Sequence, residues 1–163
     1  MRLRKRKPVV REAQDDPQAA RLAALKLLNR RDYGARELTA RLVARGFEMA
    51  NAVAAIELLV TERLVDDARY AEHFVAYHAN RGRGPAGIAY KLREAGLTQD
   101  QIAVAVDADS AEWKDRCAEV RRKRFGAKLP ATWAEKGRQA RFLTQRGFSA
   151  DQVRAAVASE QED

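Results

Sequence analysis

Apolar residues recur along this chain at three- and four-residue intervals, the period of a helix with one buried face. Tyr70, Phe74 and Tyr77, at i, i+4 and i+7, form one such stripe and are read as core. No stretch alternates β-branched with polar residues, so no strand competes with the helical reading. Helix starts are well marked. Asp16-Pro17 supplies a cap followed by proline at the first helical position, and Gly84-Pro85 repeats the logic. Thr98 with Gln101, Thr132 with Glu135 and Ser149 with Gln152 have capping-box spacing, and Ser110 is a further cap. The pattern predicts helices over 17–31, 35–45, 49–62, 67–82, 85–95, 99–108, 111–124, 132–146 and 149–159.

Helix stops are just as regular. "RLVARGF" at Arg41–Phe47 is echoed by "KLREAGL" at Lys91–Leu97 and "RFLTQRGF" at Arg141–Phe148. With Gly46 at the left-handed position past a helix end, Phe47 and Leu42 fall at the two positions that make the apolar contact of a Schellman motif. The same register places Leu97 on Leu92 around Gly96, and Phe148 on Leu143 around Gly147. Ten residues beyond each glycine stands Ile56, Val106 or Val157. Tyr33-Gly34, Arg83-Gly84 and Phe125-Gly126 mark a second recurring junction, with "AKLPAT" inserted after the last. The expectation is an all-α, elongated tandem array: a flexible basic tail (1–15), then three-helix repeats over 16–65, 66–108 and 109–163.

Charge narrows the choice of partners. The chain carries a net +8, half of it on residues 1–15, while the three repeats carry +2, −1 and +3. Any basic surface in the folded part must therefore come from sidedness. An anionic partner is expected, nucleic acid first, with the tail either a solubilising arm or a nucleic-acid-binding one. The lone Cys117 allows no intramolecular disulfide and fits a reducing cytoplasm. The basic N-terminus lacks the apolar stretch of a secretory signal, and no segment is apolar for long enough to span a membrane.

Catalytic chemistry is not expected. His73 and His78 stand about 140° apart around a helix, too far to share a metal face. Cys117 has no second thiol or histidine near it in sequence and reads as an inert small residue. There is no phosphate-binding glycine loop, nucleophile elbow or metal-ligand spacing, so no cofactor or metal is expected. Cations do cluster at helix ends: Arg30-Arg31, Arg81 with Arg83, Lys91 with Arg93, and Arg121-Arg122-Lys123-Arg124. Favourable interaction with the helix dipole explains part of each cluster, but it does not require four in a row. Such clusters can pair with phosphates or with a partner's carboxylates. Tyr33, Tyr70 and Phe125 lie beside them and are compatible with stacking on single-stranded bases.

One block resembles a known family. "DDARYAEHFVAYHANRGRGPAGIAYKLREAGL" at 66–97 is similar to the signature of the RecX regulatory proteins. It holds R-[YF]-A-E-x-F-V at Arg69–Val75 and G-P-x-x-I-x-x-x-L at Gly84–Leu92. "ALKLL", "RRDY" and "RGF" within 24–47 resemble the family's first repeat, and "RRKRFG" with "RFLTQRGF" its third. The resemblance covers about residues 16–158. It implies three three-helix repeats, no catalysis, and a modulator of the RecA recombinase; a monomer is expected. Such a protein binds the RecA–DNA filament in its groove and inhibits ATP hydrolysis, strand exchange and coprotease activity. The expected contacts to RecA and single-stranded DNA are Arg69 and the four cation clusters. Two other classes stay open: a helix-turn-helix DNA regulator, for which Asn51 and Gln152 are the available base readers, and a helical adaptor for another acidic protein.

Overall fold

The computed structural model describes residues 16–158; the basic tail and residues 159–163 lie outside the described residues. Among the described residues there are nine helices and no strand. They are α1 (Pro17–Leu28), α2 (Ala35–Ala44), α3 (Met49–Thr61), α4 (Asp67–Ala79), α5 (Pro85–Glu94), α6 (Gln99–Val106), α7 (Glu112–Phe125), α8 (Trp133–Gln145) and α9 (Ala150–Val157). The caps act where the sequence places them. Asp16 accepts from the Gln18 N–H at 2.9 Å. Thr98, Thr132 and Ser149 each form a complete capping box. Ser110 stands one residue ahead of the cap position, Ala111, yet its hydroxyl accepts from the Glu112 N–H at 3.4 Å. Gly34 has no side chain to cap α2, and the Asp67 carboxylate takes that role, accepting from the Ala35 N–H at 2.8 Å.

All three repeated stops are Schellman motifs. The N–H groups of Phe47, Leu97 and Phe148 donate to the carbonyls of Leu42, Leu92 and Leu143 at 3.2–3.3 Å. Gly46, Gly96 and Gly147 have φ of 98°, 93° and 91°, a conformation that is costly for any residue with a Cβ. A fourth stop was not expected. Gly82 has φ 75° and the Arg83 N–H donates to His78 O, so α4 ends at Ala79 instead of running to 82.

The described residues form two compact units, dividing after Asp67. In the first, Ala20, Ala24 and Leu27 of α1 pack with Leu38 and Leu42 of α2 and Ile56 and Leu59 of α3. Burying these side chains contributes roughly 1.5–3 kcal/mol for each large one, which is what orders helices too short to persist alone. In the second, α4–α9 share one core. Ile88, Leu92, Ile102 and Val106 meet Trp113, Cys117, Leu143 and Phe148. The Trp113 indole N–H donates to the carbonyls of Val106 and Asp107, each at 3.1 Å, tying the end of α6 to α7. The α4–α6 and α7–α9 helices also meet through backbone. The Gly84 N–H donates to Arg146 O at 2.7 Å and the Ala86 N–H to Gly147 O at 3.0 Å.

Candidate anion-binding cleft

Within the second unit, the end of α4 faces α7 and α8 across a cleft of about 550 Å³. Gly82 lets the backbone turn there, and a Cβ on it would stand 3.1 Å from Val120 of α7. On α7, Arg116, Glu119, Val120, Lys123 and Arg124 fall on one face by helical spacing, and all line the cleft. From the other walls come Arg81, and Phe142 and Arg146 of the α8 segment.

Two of the five cations have acidic partners. Arg116 pairs with Glu112 at 2.7 Å and Lys123 with Glu119 at 2.7 Å. The hydrogen bond from Lys123, and its charge, hold the Glu119 carboxyl below the ordinary carboxylate range. The other three rest on aromatic faces and backbone. The Arg81 guanidinium lies 3.6 Å from the centre of the Tyr77 ring. Arg146 lies 5.1 Å from the Phe142 ring and donates to Arg81 O at 3.2 Å. Arg124 stands 5.8 Å from Phe125 and 6.0 Å from Phe142, whose rings meet edge to face. Such stacking orients a guanidinium without neutralising it. The cleft therefore presents fixed positive charge with one acid, itself paired.

The expected site residues separate into distinct places. Arg81, Lys123 and Arg124 come together in the cleft. Arg83 and Lys91, both exposed, join Arg81 in acting on His78. Burial first, then the charges of Lys91, Arg83 and Arg81, push this imidazole below its ordinary pKa. Arg93 turns to Gln99 Oε1 at 3.3 Å, Arg69 is half-buried in the first turn of α4, and Arg122 is exposed. In the first unit, Arg30 is exposed and Arg31 pairs with Glu37 at 2.6 Å.

Arg121 is a correction. It is only 5% exposed and continues the buried stripe of Trp113 and Cys117. Its guanidinium donates to Lys128 O at 3.1 Å and Ala127 O at 3.4 Å, so it holds the α7–α8 connection and is not available to a ligand. The stacking aromatics also need revision. Tyr33 and Tyr70 are buried, Arg31 covers the Tyr33 ring at 3.7 Å, and Phe125 is half-buried. Tyr77, expected in the core, is 53% exposed beneath Arg81. Gln152, a possible base reader, is sunk in its capping box and donates to Ala108 O. Sequence reasoning missed Arg116 and Arg146. Arg116 was findable, eight residues before Arg124 on the same helical face. Nothing local to Arg146 indicates that it meets Arg81.

Among the described residues, no cluster of three or more His, Cys, Asp or Glu is placed to hold a metal, and no helix is long and apolar enough to cross a membrane. The fold and cleft define a class: an all-α protein of repeated three-helix units with a basic cleft. Residues 66–106 match the second three-helix domain of RecX and residues 112–157 the third. The chain is 43% identical over 152 residues to the regulatory protein RecX of Halorhodospira halophila, covering 93% of this chain and 94% of that one. It is 38% identical over 139 residues to that of Pseudomonas syringae pv. tomato, covering 85% and 90%. It belongs to the RecX family of regulatory proteins. The fold is similar to the crystal structure of RecX from Lactobacillus salivarius, with TM-score 0.76 at 18% identity over 86% of this chain and 94% of that one.

Proposed function

We propose that the protein is a non-enzymatic, monomeric negative regulator of the RecA recombinase in the cytoplasm. It binds the RecA–DNA filament in its helical groove and lowers ATP hydrolysis, strand exchange and coprotease activity. Family membership supports the regulatory role. The observation that carries the binding mode is the cleft, where Arg81, Arg124 and Arg146 hold positive charge with no paired acid. A nucleoprotein filament offers the complement, with DNA phosphates and protein carboxylates on one surface. Three repeats over 16–65, 66–108 and 109–163 would extend that contact, and the basic arm at 1–15 would add salt-sensitive attraction to DNA.

The test is RecA ATPase on single-stranded DNA with the protein added below stoichiometric amounts. The rate is expected to fall, and strand exchange with it. Charge reversal at Arg81 and Arg124 should weaken inhibition several-fold and leave helicity unchanged. Undiminished ATPase and strand exchange with the native protein would reject the function. Full inhibition by the double variant would reject the cleft as its site.

A further inference from the structure

Trp133 is 89% exposed, the most exposed of the large apolar side chains among the described residues. It begins α8, and no described aromatic ring packs on it. A bare indole gives the fold nothing, because its apolar surface stays in water. One turn along the same face stands Gly137, exposed and inside the helix, where an added Cβ would meet nothing within 4 Å. Glycine weakens a helix interior, so this position too is unfavourable to the fold alone. Two turns along is Arg141, exposed, about 12 Å from Trp133 by helical rise.

The charge that this face of α8 carries is Arg141, and among the described residues no salt bridge engages it. Arg138 points elsewhere, over the Phe125 ring at 5.9 Å. The nearby carboxylate of Glu135 turns back to the chain before α8, accepting from the N–H groups of Ala131 and Thr132 at 2.9 and 3.2 Å.

We propose that Trp133, Gly137 and Arg141 form a stacking site for single-stranded nucleic acid. A base lies on the indole, bare backbone at Gly137 lets a flat ring come close to the helix, and Arg141 takes a phosphate of the same strand. A tryptophan can equally anchor a protein interface. Arg141, with no acid paired to it among the described residues, and the open surface beside the indole favour a polyanionic strand. The inference rests on the proposed filament binding and deepens it, since it names a surface of α8, apart from the cleft, that takes a single strand.

The two tryptophans make the site readable. Trp113 is 5% exposed, with its indole N–H bonded inside the core, so iodide-quenchable emission reports Trp133. The full chain is titrated with oligothymidylate of about ten nucleotides. The strand is expected to change that emission and shield it from iodide. Trp133→Ala should lose about tenfold in affinity, Trp133→Phe should recover most of it, and Arg141→Glu should weaken binding and flatten its salt dependence. The proposal is overturned if Trp133→Ala binds the oligonucleotide within about twofold of the native chain. It is also overturned if polyglutamate shields Trp133 and the oligonucleotide does not, which would indicate an acidic protein partner. No recombinase is present, so failure here and failure of RecA inhibition are separate results.

Discussion

A Cβ placed on Gly84 would lie 2.4 Å from the carbonyl carbon of Gly147, so these two glycines touch backbone to backbone. On the other side, a Cβ on Gly147 would stand 2.5 Å from the Gly87 nitrogen. Two hydrogen bonds close the contact, and it fixes Arg81 opposite Arg146. Gly84 has φ −83°, which alanine adopts freely, so Gly84→Ala tests the approach alone. We expect a loss of about 3 kcal/mol, from overpacking and a broken hydrogen bond, in denaturant unfolding. Inhibition should fall with it, because the two walls of the cleft separate.

The run Arg121–Arg124 should divide by function. Arg121→Ala leaves two carbonyls without their donor and is expected to cost about 2 kcal/mol. Arg122→Ala should stay within about 0.5 kcal/mol of the native chain. Arg124→Ala should leave stability unchanged and weaken binding. Thermal unfolding of the three variants, set beside ATPase inhibition, checks all three.

Cys117 makes stability fall in alkali. Burial pushes its thiol up to about 12 from an ordinary 9.0. The unfolded chain therefore loses the proton first, and the stabilisation is complete below pH 9.0 and lost as pH rises towards the folded value. The slope from this group is about 1.4 kcal/mol per pH unit. Cys117→Ala should show a shallower decline from pH 9 to 10.5 in urea titrations. The native thiol should also resist alkylating reagents until the protein unfolds.

His78 reports the cations beside the cleft. Its folded pKa is lowered, so its contribution to stability is present above the ordinary 6.5 and declines as pH falls through the folded value. Replacing Lys91 and Arg83 with glutamine should raise its midpoint, as read by NMR titration. An unmoved His78 would mean that those cations do not act on it.

Helix starts and stops were legible because capping is local chemistry. Asp16, Thr98, Thr132 and Ser149 carry their partners within three residues, and the leucines and glycines of the repeated stops lie in one short stretch. The end of α4 falls short of its predicted residue 82 because Gly82, at φ 75°, terminates the helix instead of continuing it. Arg121 could have been recognised, since Trp113, Cys117 and Arg121 follow at intervals of four, and a core stripe continues through a residue type that seldom joins one. The cleft could not. It depends on Gly84 meeting Gly147 across two repeats, and no periodicity encodes that encounter.

Asp67 changes where the first folding unit ends. The repeat pattern draws that border at residue 65, yet the N-terminus of α2 is closed by a carboxylate two residues later. The seam is thus shared property: α4 begins with the same residue that completes its predecessor. Scissors guided by the repeat would leave all three helices of the first unit in hand and an open donor at Ala35.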